Sequence, residues 1–319
     1  VAKVVKSPRI LLRSTEKIAK INSETLKIYS KYKIDMTIRE LSGGTIDGYE
    51  GDLYSWFIFV SENQSNKNLT EIDEDDITEF VYYCKTGGNN SRRMKRRIAS
   101  LSAFYKFLRK KKIVKENPLE FIESPKRDND VVIQTFLTEN QVQIMKNKLK
   151  ENGNLQIEVY ALLSLSTMAR VNAVCNIAWK QIDFETRTIN DVLEKESKIV
   201  SLFFNSEVRD LLLNLQKYRS LNSIDDKGWV FCTFYRQQYS KARKGTLQDW
   251  SKRIGIMINI PSLHAHDFRH SMAQILKLKG MPIEVISELL NHINIDTTRR
   301  FYLRQDKGKM IQEKDKYEM

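Results

Sequence analysis

Met94, Ile98, Leu101, Tyr105 and Leu108 follow one another at steps of 4, 3, 4 and 3. Only an α-helix brings such a series onto one face. The same period governs most of the chain. It predicts a helix from Ser23 to about Glu40, stopped by Ser42-Gly43-Gly44, and another from about Ile46 to Val60, where Tyr49, Leu53, Trp56 and Phe57 stand at 3- and 4-residue spacing. The acidic residues Glu71, Asp73, Glu74, Asp75 and Asp76 precede Ile77, Phe80 and Val81. They suit the positive pole of a helix that Gly87-Gly88 closes. With only 12 glycines and 5 prolines in 319 residues, and 41% hydrophobic residues, the chain is folded and helix-rich, neither disordered nor fibrous.

The helical period breaks once for long enough to separate two domains. Between Asn117-Pro118 and Val131 the chain holds two of its five prolines in a polar, charged run, which places a boundary at residues 124 to 132. Thr138 then caps a helix with Gln141 at the capping-box position, and an apolar helix follows over 156 to 167, ending at Met168-Ala169-Arg170. Short strands are expected at Thr188-Ile189, Ile199-Val200 and Phe203-Phe204, around a polar turn from Glu194 to Lys198. A helix over about 206 to 219 comes next. The remainder reads as helical to the end, with Gly280 closing one helix and Pro282 opening the next. The fold class is therefore mainly α with a small β-sheet, the second half being mixed α+β. Residues 1–20 read as a basic arm and 307–319 as a tail.

Charge narrows the partner. Lys and Arg number 53 against 40 Asp and Glu, a net of +13 with a pI near 9.4. That balance favours a polyanion: nucleic acid first, an anionic membrane second, with the Lys-rich coding of AT-rich genomes as the plain alternative. No apolar run approaches the roughly 18 residues that span a bilayer, and Val1 to Lys6 lacks the apolar core of a secretory signal. No membrane partner and a cytoplasmic location are expected. Cys84, Cys175 and Cys232 are odd in number and never form a C-x-x-C pair, which agrees. Basic residues crowd both ends of the helix from Ser91 to Lys112. Positive charge at a helix start opposes the dipole, and a phosphate backbone gives it a reason to exist, as does a solvated basic face. Arg92, Arg93, Lys95, Arg96, Arg97 and Lys110 are the DNA-contact candidates.

Histidine usage is the sharpest chemical signal. All four, His264, His266, His270 and His292, fall within a 29-residue stretch. The +3 and +4 steps put His266, Arg269 and His270 near one helical face. A guanidinium beside an imidazole suits phosphate chemistry, because Arg clamps two oxygens and His moves a proton near pH 7. His266 and His270 also have the spacing of a helical zinc pair, but the zincin glutamate is missing and Arg269 would repel a cation. No metal and no cofactor are expected. His264 and His270 singly also fit a structural role at helix ends.

The strings H-x-x-R-H (His266 to His270), L-x-N-H (Leu289 to His292) and T-T-R-R-F-Y (Thr297 to Tyr302) resemble the C-terminal signature of the tyrosine recombinase, or phage integrase, family. Upstream, Met168-Ala169-Arg170-Val171-Asn172, Ile177-Ala178-Trp179 and Ile182-Asp183 resemble its first arginine box, and the 25-residue step to Lys195 suits its β-hairpin lysine. The resemblance covers residues 133 to 305. It implies a helical, SAM-like core-DNA-binding domain at 21–127 and a catalytic domain at 128–306, with duplex DNA clamped between them. It also implies four protomers on two inverted-repeat sites, exchanging strands through a Holliday junction, with residues 307–319 as a segment docking into a neighbour and an accessory directionality factor as a further partner. The host would be a bacterial cell, with the protein on the nucleoid, in integration, excision, transposition or chromosome resolution. In the implied chemistry a tyrosine hydroxyl attacks a DNA phosphodiester, giving a 3′-phosphotyrosyl link and a free 5′-hydroxyl without ATP or metal. Arg170 and Arg269 would neutralise the phosphorane, Lys195 would protonate the leaving oxygen with Lys198 as competitor, His266 would act as general base or relay, and His292 would hydrogen-bond the phosphate. Trp179 and Phe268 belong to the core.

Two positions depart from the family pattern. The usual glutamate three residues after the first arginine is Ala173 here. The tyrosine usually nine residues after the second histidine is Phe301, followed by Tyr302. Asp296 as N-cap predicts helix over 297 to 304, where adjacent side chains diverge by about 100°. Phe301 then holds the nucleophile position without its hydroxyl, as an engineered inactive variant would. The rival reading makes Tyr302 the nucleophile after a shifted helix start. Two further classes stay open: a non-catalytic DNA-binding member of the same fold, and a type IB topoisomerase.

Overall fold

The computed structural model describes residues 13–126, 135–194, 198–292 and 294–302, with 311, 314 and 315; for 300–302 it describes the backbone. The chain divides into two compact units, Val1–Val132 and Ile133–Met319. Among the described residues no helix is long and apolar enough to cross a membrane.

The first unit is helical: α1 (Thr15–Ala19), α2 (Ser23–Ile38), α3 (Gly43–Asn63), α4 (Glu74–Thr86) and α5 (Ser91–Lys110). The five stripe residues of α5 are all buried. They meet α3 in an aromatic core where Trp56 lies 5.6 Å from Tyr105 and Tyr32 lies 5.1 Å from Phe104. The α4 start is a full capping box, Asp73 taking the Asp76 N–H and Asp76 taking that of Asp73. Two expectations change. Gly43-Gly44 begins α3 instead of ending α2, because the Ser42 hydroxyl accepts the Thr45 N–H and caps the helix three residues early. Residues 13–20 are not a free arm: Ser14 caps α1, and Arg13 and Lys17 pair with Glu50 and Glu62 of α3. Residues 1–12 lie outside the described residues.

The second unit contains α6 (Glu139–Asn152), α7 (Leu155–Thr167), α8 (Val171–Cys175), β1 (Ile182–Asp183), β2 (Thr188–Leu193), β3 (Ile199–Phe203), α9 (Ser206–Leu221), β4 (Cys232–Tyr235), β5 (Gln238–Lys241), α10 (Lys244–Met257), α11 (Ala265–Leu278), α12 (Ile283–Leu289) and α13 (Ile295–Tyr302). Helix α7 is apolar on nearly every side and is buried almost throughout, packed by α6, α9 and α11. A helix apolar all round can only be a core helix or a membrane span, and its 13 residues are too few to span. Strands β1, β2 and β3 form an antiparallel sheet in that order, with a bulge between Ile189 and Val192 and Leu193 opposite Ile199. The β4–β5 hairpin is a second sheet where only helix was expected. Its turn residues Arg236 and Gln237 both have left-handed backbone, φ 47° and 61°, the geometry of a two-residue hairpin turn built without its usual Asn or Gly.

Candidate active site

Helix α7 runs out at Thr167, and Met168 turns the chain through left-handed backbone, φ 50°. Arg170 thereby becomes the N-cap residue of α8. Its side chain is 31% exposed, and its Nη1 donates to the carboxylate of Glu194, just past the end of β2 and 2% exposed. The same turn offers the Met168 carbonyl to Arg269, whose Nη1 donates to it at 2.6 Å.

Arg269 comes from α11. The start of that helix is fixed by Asp267, whose carboxylate accepts the His264 N–H at 2.7 Å, and by Ser271, whose hydroxyl donates to the Asp267 carbonyl at 2.6 Å and accepts the Leu137 N–H at 2.8 Å. With 1% exposure, Arg269 is an interior cation. Its Nη2 donates to the Leu290 carbonyl at 2.6 Å and meets His292 Nε2 at 2.8 Å. A guanidinium can only donate, so His292 Nε2 accepts and the imidazole proton sits on Nδ1. Nδ1 in turn lies 2.8 Å from the hydroxyl of buried Thr298 on α13. His292 thus braces Arg269 against α13. His270 is buried, its ring 4.7 Å from that of His266 and 6.0 Å from that of Phe136.

The electrostatics tie these groups together. His266 is exposed at one edge, yet enough protein surrounds its ring that partial burial, then Arg269, Arg170 and Lys244, hold its pKa down to about 4. Burial, then Arg269, Arg170, His266 and Lys198, bring His292 to about 3. His270 is lowered to about 3 by burial, His266, Arg269 and His292. Arg170, His266, Arg269 and His292 therefore share one electrostatic environment, with neutral imidazoles among cations. Such a site suits an anion whose charge grows during reaction, and a neutral imidazole there can accept a proton. Among the described residues no group of three or more His, Cys, Asp or Glu is placed to hold a metal ion.

Other candidates fall differently. Lys195 lies outside the described residues. Lys198 donates from Nζ to the Asn291 carbonyl at 3.0 Å, one residue from His292. Phe301 and Tyr302 are the last two residues of α13, and their side chains lie outside the described residues. The helix starts at Ile295, ahead of Asp296; Asn294 accepts the Asp296 N–H on its side chain and the Thr297 N–H on its carbonyl. Inward-facing Thr298 marks the side of α13 turned to His292. At 100° per residue, helical positions 301 and 302 stand about 60° to one side of position 298 and about 40° to the other.

On α5, Arg92, Arg93, Arg96 and Lys110 are exposed and Lys95 is half-buried. Arg97 is turned inward at 9% exposure, its Nη1 2.9 Å from Cys84 Sγ and its Nε 3.9 Å from Asp52. Its grouping with the DNA-contact candidates is corrected: the 3.6-residue period carries that position round to the core side, beside Met94, Ile98 and Leu101. Sequence reasoning missed Glu194, Lys244 and Thr298 as parts of the site. Thr298 lay inside the T-T string, and Glu194 stood beside the hairpin lysine; nothing in the sequence marked Lys244.

Residues 135–309 match the Phage integrase family, and residues 31–112 match the Phage integrase, N-terminal SAM-like domain. A tyrosine recombinase of Thermosipho africanus is 26% identical over 280 residues, covering 86% of this chain and 93% of its own. Tyrosine recombinase XerC of Leptospira interrogans is 27% identical over 300 residues, covering 90% and 91%. In fold, the chain is similar to the XerH site-specific recombinase bound to palindromic difH substrate, with a TM-score of 0.72, 18% identity, and 97% of this chain and 90% of that one covered. The Tn1549 transposon integrase in complex with transposon right end DNA gives 0.69 at 18% identity, covering 92% and 99%. The chain belongs to the phage integrase family, the tyrosine recombinases, whose work is DNA recombination.

Proposed function

We propose that this chain cuts and rejoins DNA at specific sites through a 3′-phosphotyrosyl intermediate, with Arg170, His266, Arg269 and His292 around the scissile phosphate. The observation that carries the reading is geometric: Arg269, three residues after His266 on α11, donates to the Met168 carbonyl beside Arg170 and meets His292 at 2.8 Å, so the α7–α8 turn, α11 and the α12–α13 turn converge. A tyrosine oxygen bonds to phosphorus while the bond to the 5′-oxygen breaks. The tyrosine gives up its proton to His266, or to a relay through it, and the leaving oxygen gains one from Lys195 or Lys198. Arg170, the half-buried guanidinium, meets the non-bridging oxygens, and the fully buried Arg269 supplies charge from a fixed position. The bond energy stays in the covalent link, so neither ATP nor metal is required.

The partner is duplex DNA carrying an inverted repeat, read in part through Arg92, Arg93, Lys95, Arg96 and Lys110. Four protomers on two sites, an accessory directionality factor, a cytoplasmic location on the nucleoid, and a role in integration, excision or transposition complete the proposal. It takes 21–127 as the DNA-binding domain, 128–306 as the catalytic domain and 307–319 as a docking tail. At the nucleophile, Phe301 marks an inactive variant, or Tyr302 serves instead. A second reading, a DNA-binding member that does not cleave, is favoured by Phe301 and Ala173.

A nicked suicide duplex carrying the segment protected in footprinting tests this. A covalent adduct with Phe301→Tyr but not with the unmodified chain assigns position 301; an adduct with the unmodified chain that Tyr302→Phe abolishes assigns Tyr302. Adduct yield is expected to be unchanged by EDTA. No adduct in either background supports the non-cleaving reading, and relaxation of any supercoiled plasmid would point to the topoisomerase.

A further inference from the structure

Arg170 is the one active-site guanidinium that reaches solvent, and a single buried carboxylate holds it. Glu194 Oε2 accepts its Nη1, and the other oxygen, Oε1, is buried with no hydrogen-bond partner among the described residues. Burial itself costs stability, because a carboxylate is taken out of water. A carboxylate present only for packing would be better replaced by an apolar side chain. The surroundings show what it is tied to. Glu194 N–H donates to the Lys198 carbonyl at 2.8 Å, tying it to the residue just before β3. One residue earlier, the Leu193 carbonyl accepts the Asn176 side-chain amide at 2.8 Å. Arg170 and Asn176 are the two caps of the five-residue helix α8. Both ends of α8 are therefore clasped to the end of β2, one through Glu194 and one through Leu193.

We propose that Glu194 is a positioning residue for the cleavage step, fixing the Arg170 guanidinium by Nη1 so that its Nε and Nη2 edge meets the scissile phosphate. The inference rests on the cleavage reading above. Two consequences separate it from a purely structural role. Glu194 opposes the positive charge that attracts DNA, so neutralising it leaves ground-state binding unchanged or tighter. Arg170 loses its fixed orientation, so the transition state, which depends on bidentate alignment, is the state that suffers. The whole effect also passes through Arg170.

The test uses Glu194→Gln, nearly isosteric and so safe for folding, with Glu194→Asp, Arg170→Lys and the Glu194→Gln/Arg170→Lys pair, each in the background that forms the adduct. The probe is the nicked duplex defined by footprinting. Glu194→Gln is expected to keep its DNA Kd within threefold of the parent or below it, while the single-turnover adduct rate falls roughly ten- to hundredfold. Glu194→Asp should recover part of that rate. In the Arg170→Lys background, Glu194→Gln should cost less than a further threefold. Parent-level cleavage by Glu194→Gln, or losses that multiply independently with Arg170→Lys, would overturn the proposal. If no background forms an adduct, the cleavage reading has failed, and Glu194 is read on Arg170 itself. In ¹⁵N spectra the Arg170 Nη protons should show hindered rotation and slow solvent exchange in the parent, lost in Glu194→Gln. Equal behaviour in both chains rejects the positioning role.

Discussion

Arg97 and Arg269 are both interior guanidiniums, and their neighbours give them different work. Arg269 donates to the carbonyls of Met168, two residues before Arg170, and of Leu290, and it meets His292, so its charge lies where the α7–α8 turn, α11 and the α12–α13 turn come together. Arg97 faces Asp52, a fully buried carboxylate on α3 that also takes Arg96 at 2.8 Å and the Ser100 hydroxyl at 3.0 Å. Asp52→Ala should therefore strand a buried cation and lower the stability of the first unit by about 3 kcal/mol, read as a shift in its urea midpoint; no shift would mean that Asp52 is dispensable to that core. In the second unit the imidazoles dominate acid behaviour. His266, His270 and His292 sit near 4, 3 and 3 when folded, against an ordinary 6.5. Below pH 6.5 the unfolded chain takes up protons that the folded chain refuses until about pH 4. Stability contributed by the neutral rings is thus complete above about pH 7 and declines steadily as the pH falls through that window. A lower urea midpoint for the second unit at pH 5 than at pH 7, with the difference reduced in His270→Gln, is the expected result.

Elements differ in how openly the sequence announces them. Helix α5 was legible because one residue series satisfied a single period and was buried as a unit, and α6 because Thr138 and Gln141 cap it reciprocally. The start of α3 was misread because Gly-Gly looks like a stop, while the deciding interaction was the Ser42 cap. The H-x-x-R-H side of the site was legible because its residues lie within one helical turn or so. Glu194 was not: its partner is 24 residues away, and contact across that separation depends on tertiary packing, which no period encodes. The β4–β5 hairpin stayed hidden for another reason. Its turn carries Arg236-Gln237 in backbone that favours Asn-Gly, and Phe234 and Tyr235 are exposed, so neither turn residues nor an apolar alternation marked it. Supplying the usual turn gives an element-scale prediction: Arg236→Asn with Gln237→Gly should raise the thermal midpoint of the second unit by about 2–4 °C, the effect of roughly 1 kcal/mol in a unit of this size. A fall instead would show that the strained turn is held by contacts of its own side chains.

Over the whole molecule, a net charge of +13 makes DNA affinity a matter of counterion release, so the salt dependence of binding reports which cations meet phosphates. The basic residues of α5 divide into two sets that a count of positive charges cannot distinguish. Arg92, Lys95 and Lys110 are not committed to the Asp52 carboxylate, whereas Arg93, Arg96 and Arg97 all lie within 3.9 Å of it. Each residue of the first set that contacts a phosphate should, on replacement by Gln, lower the slope of log K against log salt concentration by about 0.9, with the thermal midpoint unchanged. Arg97→Gln should do the reverse, leaving the slope intact while destabilising the first unit, because its charge is already opposed inside the protein. Fluorescence anisotropy with the footprinted duplex across a salt series, paired with melting curves for the same variants, measures both quantities. A slope change for Arg97→Gln equal to that for Arg92→Gln would mean that Arg97 swings out to the DNA, and the core-facing arrangement of α5 would then be a property of the free protein alone.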